Sequence, residues 1–335
     1  MSKQEVNPID FVIIWVDGAD PKWREEKSEY LPKSSFEDDK EVRYRDWDNL
    51  QYWFRAVEAY TPWVRTIHFV TWGHLPKWLK TDHPKLHIVK HEDFIPKEYL
   101  PTFNSHTIEL NLHRIEGLAE QFVYFNDDMF INAPMKPEDF FKKGLPCDVF
   151  AMDCIYFGKD SAGPYNGNNM TVINKNINKR QMLKQYWRKW FRLRYSMKFI
   201  YRTVVLMPWP WFPGFLYQHL PNAFLKTTFQ QVWEKEPEIL RETCMSKFRS
   251  TTNVNQWVMK YWQLATGSFY PRKKNIGRCF HIRKGIEELL ETIRTGKDIM
   301  ICINDTVDTT DFENKKQAVI DAFQIRLKEK STFEI

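Results

Sequence analysis

Short apolar runs alternate along the chain with segments whose apolar positions recur at helical spacing. The runs at 9–16, 66–72, 86–90, 121–125 and 298–303 predict buried β-strands. Apolar positions that share one face predict helices from about residue 48 and at 105–114, 239–245, 254–264 and 314–328. This alternation predicts an α/β fold with a mostly parallel, Rossmann-like sheet and helices on both faces.

One long segment departs from this pattern. Residues 161–235 are rich in basic and aromatic residues, and they are expected to form a helical insertion or subdomain. The catalytic core would then consist of residues 1–160 together with 236–335. The segment has no carboxylate between Asp160 and Glu234, yet it contains 11 Lys and Arg residues. Because the whole chain has a net charge of only +6, the remainder of the chain is acidic.

The basic segment has three possible roles. Tyr186, Trp190, Leu193 and Met197 recur at helical spacing, which is typical of an amphipathic helix lying on a surface. The helix could pack its apolar face against the protein, or it could contact an anionic membrane or a lipid-linked substrate. Nucleic acid is disfavoured as a partner because the rest of the chain is acidic and shows no familiar nucleic-acid motif.

Composition narrows the class of protein further. At 335 residues with 43% hydrophobic residues, the chain can bury a sizeable core. No apolar run approaches the roughly 20 residues that a spanning helix needs, and the N-terminus lacks the pattern of a signal peptide. Five cysteines without a CxxC pair argue against a disulfide scaffold or a cysteine zinc site. We therefore expect a soluble, reduced, cytoplasmic protein.

Acidic residues follow three of the predicted strands. Asp17 follows the first, Asp127 and Asp128 follow the fourth, and Asp305 follows the last. A single Asp after a strand is most often a turn residue. Ligands of open α/β sheets, however, bind beyond the carboxyl ends of the strands, so these side chains could converge on one crevice. We predict that Asp127, Asp128 and Asp305 hold Mg²⁺ or Mn²⁺ there with the phosphates of a substrate, as in nucleotide-sugar transferases.

A site for a metal diphosphate also requires cations for the phosphate oxygens and a base for the nucleophile. The candidate residues are Arg43, Arg45, Arg114, Arg249, His106, His113, His219 and His281. A lone histidine is more often structural. The sequence around His106 is more favourable, because residues 103–106 open a predicted helix whose backbone amides would attract an anion.

Four stretches of the sequence resemble one known family. IDFVIIWVDGADPKW resembles the first conserved block of the Stealth proteins, which are bacterial capsular polysaccharide phosphotransferases related to the catalytic subunit of animal GlcNAc-1-phosphotransferase. The stretch from RYRDWDNL through QFVYFNDDMFI resembles the second block. The third block is similar to HLP followed by CMSKFR and YWQLATG, and the fourth to ICIND. The basic segment lies between the second and third blocks.

The resemblance implies transfer of a sugar 1-phosphate. An acceptor hydroxyl would attack the β-phosphorus of a UDP-sugar, UMP would leave, and a phosphodiester would form. The implied catalytic residues are Asp127, Asp128, His219 and Arg249. The expected substrate-binding residues are Asp17, Gly18, Arg43, Arg45, Asn104, His106, Glu109, Arg114 and Asn304. The acceptor is expected to be a lipid-linked glycan at the inner face of the cell membrane.

Two other functions are compatible with the same acids. A metal-dependent glycosyltransferase would take the same donor, but its acceptor would attack the anomeric carbon and UDP would be released. A non-catalytic scaffold would recruit glycan or lipid through the aromatic and basic surface. The released nucleotide separates the two enzymes, and the acids at three strand ends argue against the scaffold.

Overall fold

The computed structural model describes residues 7–30, 37–38, 40–158, 161–272, 276–282, 285–305 and 311–335, without the side chains of residues 37, 38, 41 and 43. The described strands are β1 (Ile9–Ile14), β2 (Glu37–Asp38), β3 (Ile67–Thr71), β4 (Leu86–Lys90), β5 (Gln121–Asn126), β6 (Met129–Ile131), β7 (Phe141–Lys142), β8 (Leu145–Asp148), β9 (Asn222–Leu225), β10 (Arg249–Ser250), β11 (Tyr270–Pro271), β12 (Gly277–His281) and β13 (Met300–Asn304).

The described helices are α1 (Pro21–Ser28), α2 (Leu50–Tyr60), α3 (His91–Phe94), α4 (Ser105–Asn111), α5 (Pro137–Phe140), α6 (Gly163–Asn176), α7 (Lys179–Trp190), α8 (Met197–Val205), α9 (Lys226–Lys235), α10 (Pro237–Met245), α11 (Trp257–Ala265), α12 (Glu287–Thr295) and α13 (Phe312–Arg326). Short 3-10 turns occupy Glu41–Tyr44, Lys97–Tyr99 and Leu112–Arg114.

The central sheet has the strand order β4-β3-β1-β5-β9. Its first four strands are parallel and β9 runs antiparallel to β5, so the expected mostly parallel α/β fold is confirmed. Successive side chains of a strand point to opposite faces. In β1, Phe11 and Ile13 accordingly pack into one hydrophobic cluster and Val12 into another, with helices covering both faces. From β1 the chain proceeds outward to β3 and β4 and then returns to β5 on the other side. The carboxyl ends of β1 and β5 therefore flank a topological switch point, where open sheets bind ligands.

A second sheet completes this end of the molecule. Its order is β12-β13-β6, and β6 begins directly after Asp128. The amide of Ile303 donates to the carbonyl oxygen of Asp128 at 2.8 Å, which joins the two sheets at that point. Asp305 was expected to follow a strand of the central sheet. It follows β13 of the second sheet instead, but it still lies at the same end of the fold.

The segment 161–235 does not contain the single amphipathic helix that the spacing predicted. Helix α7 ends at Trp190, whose buried ring stacks on Phe150 at 4.4 Å between centroids. The hydroxyl of Tyr195 then donates to the carbonyl of Lys189, which closes a turn before α8 begins at Met197. This prediction was wrong because a buried ring, rather than the apolar spacing, determines where the helix ends.

Both ends of the same segment are built into the core of the fold. Strand β9 pairs with β5 in the central sheet, and α6 packs against α11. Helices α7 and α8 are the part of the segment that lies toward solvent, with several large apolar side chains exposed. No helix in the described parts of the chain combines the length and apolar composition needed to cross a membrane.

Candidate active site

A cleft of about 1060 Å³ opens at the carboxyl ends of β1 and β5. The ends of both strands, the first turn of α4, the loop before β9, strand β10 and the residues that end β13 contribute to its lining. These segments are far apart in sequence and meet only because the two sheets converge here. Most of the predicted site residues lie on this cleft.

The Asp127–Asp128 pair occupies the tight connection between β5 and β6. Enclosure by the surrounding protein, together with the negative charges of Asp128 and Asp46, raises the pKa of Asp127 to about 8. Its side chain nevertheless remains open to the solvent of the cleft. A bound cation would relieve the repulsion between these carboxylates.

Asp128 is the most constrained acid of the site. Its Oδ2 lies 3.2 Å from Nε2 of His219 and accepts a hydrogen bond from the thiol of Cys302 at 3.3 Å. Its Oδ1 is buried and has no hydrogen-bond partner among the described residues. A buried carboxylate oxygen without a donor is costly, which makes Oδ1 a natural ligand for a cation.

His219 is held next to this carboxylate by the loop that leads into β9. Burial alone would lower the pKa of the imidazole, but the charge and hydrogen bond of Asp128 outweigh burial, so the pKa lies above its usual value. Nδ1 of His219 lies 3.5 Å from the hydroxyl of Tyr217, on the side of the ring away from Asp128. The arrangement resembles an acid–histidine dyad, in which the carboxylate orients the ring and leaves the other nitrogen available.

The potential metal ligands differ from the predicted set. Among the described residues, Asp128, His219 and Cys302 place ligand atoms within 4.8 Å of one another. Asp305 is outside this group, and its carboxylate forms an ion pair with Arg45 at 3.0 Å. Magnesium is typically held by one or two carboxylates together with substrate phosphates. The unpaired Oδ1 of Asp128 and the neighbouring Asp127 fit that requirement.

Three of the described arginines line the cleft; Arg278 is paired with Glu288 and Asp298, which leaves Arg249 and Arg45 as candidates for binding a substrate. Arg249 donates from Nε and Nη2 to the hydroxyl of Ser105, at 3.1 and 2.7 Å, which fixes its guanidinium at the start of α4. Arg45 pairs with Asp305 and stacks over the ring of Phe312 at 4.6 Å. Both side chains line the cleft and are suitable for binding phosphate oxygens.

The start of α4 forms another part of the cleft wall. His106 lines the cleft and packs edge-on against Tyr165 at 4.6 Å. Glu109 is buried, accepts from the hydroxyl of Tyr124 at 3.2 Å, and has a pKa raised by burial and partly restored by the charge of Arg249. Asn104 does not line the cleft. It caps α4 by accepting from the amide of His106 at 3.1 Å, so it shapes the site from behind.

Other predicted residues lie at or beyond the edge of the cleft. Asp17 and Gly18 are not part of its lining. Asp17 accepts from the amide of Ala19 at 2.8 Å, while Gly18 packs so closely on Tyr44 that a Cβ would lie 2.1 Å from the Tyr44 carbonyl oxygen. Gly18 thus positions Tyr44, which does line the cleft. The side chain of Arg43 lies outside the described part of the chain.

Arg114 was wrongly assigned to the substrate site. It follows α4 at the end away from the cleft, and its guanidinium lies over Trp233 at 5.1 Å in a separate pocket. The neighbouring His113 is buried, and burial followed by the charge of Arg114 lowers its pKa to about 3. Asn304 and His281, in contrast, do line the cleft, and Nδ2 of Asn304 lies 3.2 Å from Nδ1 of His281.

Cys302 and Tyr217 lie at the site but were not predicted from the sequence. Cys302 lies inside the apolar run of β13 and gave no sign of a polar role, whereas Tyr217 lies two residues before His219 and could have been found from that proximity. Asp46, in the stretch RYRDWD, also lines the cleft, and burial followed by the negative charges of Asp48 and Asp17 raises its pKa.

Comparison with known proteins identifies the family of this chain. Residues 7–35 match Stealth protein CR1, conserved region 1, and residues 43–147 match Stealth protein CR2, conserved region 2. A capsular polysaccharide phosphotransferase WcwK of Streptococcus pneumoniae is 42% identical over 99% of both chains. The exopolysaccharide phosphotransferase cps2G of Lactiplantibacillus plantarum is 38% identical over 97% of this chain and 96% of its own. The receptor polysaccharide phosphotransferase WefC of Streptococcus gordonii is 37% identical over 98% of this chain and 100% of its own.

The fold and the cleft define an α/β protein with an acid–histidine pair at the switch point of its sheet. At these identities over nearly the whole length, the chain belongs to the Stealth family, and its first conserved region contains β1 while its second contains the Asp127–Asp128 pair.

Proposed function

We propose that this protein transfers a hexose 1-phosphate or N-acetylhexosamine 1-phosphate from a UDP-sugar to a hydroxyl of a glycan, with release of UMP, during synthesis of a capsular or other cell-surface polysaccharide. The main support is the Asp128–His219 pair, which lies in one cleft with Arg45 and Arg249. The names of the related phosphotransferases agree with a phosphoryl transfer.

The proposed step is an in-line displacement at the β-phosphorus. The acceptor oxygen forms a bond to phosphorus, the bond to the bridging oxygen breaks, and the electron pair of that bond leaves with UMP. Nδ1 of His219 accepts the hydroxyl proton while Asp128 orients the ring through Nε2. Because phosphoryl transfer depends mainly on positioning and charge neutralisation, Arg249 and Arg45 bind the phosphate oxygens.

Mg²⁺ or Mn²⁺ is part of this proposal. Asp128, through Oδ1, and Asp127 would hold the ion, which would neutralise charge on the diphosphate. We further propose that Asn304 and Glu109 contact the donor. The acceptor would be a lipid-linked oligosaccharide at the cytoplasmic face of the cell membrane.

The test is to identify the nucleotide released when the purified protein is incubated with Mg²⁺, an oligosaccharide acceptor and a panel of UDP-sugars. UMP should form only when acceptor is present. Asp128→Asn should abolish turnover, because it removes the charge that orients His219. Asp82→Asn, at an exposed position away from the cleft, is the matched control and should retain activity.

Release of UDP in place of UMP would refute the proposal, because it would mean attack at the anomeric carbon and an ordinary glycosyltransferase. Turnover that survives Asp128→Asn would equally remove the acid–histidine pair from the mechanism. Retention of activity after exhaustive treatment with EDTA would refute the part of the proposal that concerns the metal.

A further inference from the structure

Helices α7 and α8, with the residues that follow as far as Trp211, present an unusual number of exposed apolar side chains. We call this region the basic apolar surface. The exposed fractions are 51% for Trp187, 98% for Leu193, 74% for Met197, 70% for Tyr201, and 58% each for Trp209 and Trp211. Scattered apolar residues are normal on a protein surface, but a contiguous group of this kind usually marks an interaction site.

Helix α8 shows that this exposure follows from the fold. Met197, Tyr201 and Val204 are spaced to share one face, and all three are exposed. Thr203 is buried, and Phe199 packs against the hydrophobic core from the other side of the helix. The helix is therefore apolar both toward the protein and toward solvent.

The same surface is strongly cationic. Its exposed basic residues are Arg180, Lys184, Arg188, Arg192, Arg194 and Lys198. None of them forms an ion pair within 4.0 Å among the residues that the structure describes, and no carboxylate occurs in the sequence between Asp160 and Glu234. The charge of this surface is therefore not neutralised locally.

Other basic residues of the segment have structural roles. Lys179 is buried and donates to the carbonyls of Leu206 and Trp209, at 2.8 and 2.7 Å. Lys189 donates to the carbonyls of Gly267 and Phe269. These two residues tie the surface to the rest of the protein, so they are distinct from the exposed cations and are unsuitable for a test of binding.

We propose that the basic apolar surface docks the protein onto an anionic lipid bilayer. A bilayer interface offers negative headgroups to the arginines and lysines and an apolar layer to Leu193 and Met197, and Trp and Tyr are favoured at that depth. A second copy of the chain would bring like charges together. A nucleic acid would match the cations but not the aliphatic side chains.

The surface is also connected to the cleft. Trp211 precedes His219 by eight residues, so even a fully extended chain places the two within about 28 Å. Docking through α8 and Trp211 would therefore hold the cleft near the membrane, where the lipid-linked acceptor of the proposed function would be found. The docking itself does not depend on the donor or on the reaction, and it is measured without substrate.

The test is sedimentation of the full chain with vesicles of phosphatidylcholine alone or with 30% phosphatidylglycerol. The variant carries Arg188→Gln, Arg192→Gln, Arg194→Gln and Lys198→Gln. Each cation near an anionic surface strengthens binding about fivefold, so removal of four cations should weaken binding to the anionic vesicles about 600-fold. The matched control removes four exposed charges elsewhere through Lys22→Gln, Lys80→Gln, Lys297→Gln and Lys328→Gln, and it should bind nearly as the unaltered chain does.

A second pair of variants tests the apolar contribution. Leu193→Ser with Met197→Ser should weaken vesicle binding at least tenfold, whereas Met245→Ser with Ile325→Ser, at exposed positions outside the surface, should not. Turnover of a soluble acceptor should be unchanged in all four variants.

Four results would overturn the proposal. The first is failure of the unaltered chain to bind anionic vesicles, and the second is equal binding by the variant with four altered cations. The third is a dimer, detected by sedimentation velocity and lost in Leu193→Ser with Met197→Ser, together with no vesicle binding. Binding of single-stranded RNA in preference to vesicles would likewise assign the surface to another partner. Vesicle binding without UMP release would leave the docking intact and refute only the proposed reaction.

Discussion

Arg249 offers a direct test of how the cleft stabilises charge. Its guanidinium is fixed by two hydrogen bonds to the Ser105 hydroxyl, and its charge also partly offsets the raised pKa of the buried Glu109. Arg249→Lys keeps that charge but loses the planar, forked donor geometry. Removing one preorganised donor from a developing oxyanion typically lowers kcat by 10²–10³, and retention of charge favours the lower end. We expect kcat to fall about a hundredfold, which corresponds to about 2.7 kcal/mol.

Ser105→Ala completes a double-mutant cycle. The variant leaves the arginine in place but removes the hydroxyl that fixes it, so kcat should fall about tenfold, consistent with one charge-assisted hydrogen bond. In the double variant the loss should equal that of Arg249→Lys alone, because the lysine cannot use Ser105 as a forked acceptor. The assay is the acceptor-dependent release of nucleotide, with thermal unfolding recorded to confirm that each variant is folded.

Two outcomes would refute this reasoning. If Arg249→Lys reduced kcat less than fivefold, Arg249 would not bind the charge that develops during the reaction. If the two substitutions were additive, Ser105 would act independently of Arg249. A rise in KM with unchanged kcat would indicate that Arg249 binds substrate and transition state equally.

Two further predictions concern stability and the shape of the cleft. Arg55 and Glu334 form a buried pair at 2.7 Å, so Glu334→Gln should lower the free energy of unfolding in urea by about 3–5 kcal/mol at pH 7. Burial raises the pKa of Glu334, but the hydrogen bond and the charge of Arg55 outweigh burial, so the pKa is lowered. The contribution of the pair should therefore be present above pH 4.5 and lost as the pH falls through the lowered pKa. If the variant and the unaltered chain differed in unfolding free energy by the same amount at pH 3 as at pH 7, the assignment would be contradicted. Gly18→Ala should displace Tyr44, raising KM for the donor several-fold and lowering the melting temperature, while the neighbouring Ala19→Ser should do neither.

The sequence predicted the four parallel strands of the central sheet well because each is a short apolar run; β4 was predicted with its correct ends, and β5 within one residue. It did not predict β9, which lies in the segment that was expected to be helical. The start of α2 was also close, since its apolar positions share one face. Parallel strands buried on both faces leave little ambiguity at this level.

From the residue pattern alone, the site could be predicted only where a polar residue interrupts such a run. Asp128 was found in this way, whereas His219 was assigned from the resemblance to the third conserved block, and the structure brings the two side chains together. Asp305 was correctly predicted to lie at the cleft, although its carboxylate forms an ion pair with Arg45. Arg114 was misplaced because a short helix has two ends and the sequence does not show which of them faces the cleft. Cys302 could not be predicted, since a thiol in an apolar strand has no polar signature.

The position of β13 has a consequence for how the protein is made on the ribosome. This strand lies between β12 and β6, and its Ile303 amide holds the backbone of Asp128. Residues 129–131 are synthesised about 170 positions earlier, so at bacterial elongation speeds β6 waits on the order of 10 to 30 s for its partner strand. Until then the nascent chain has an unpaired strand edge beside Asp128, and the backbone carbonyl of Asp128 lacks the hydrogen bond from Ile303. Slow codons between these two segments, or the loss of a chaperone, should therefore lower the yield of active enzyme more than the yield of folded N-terminal core.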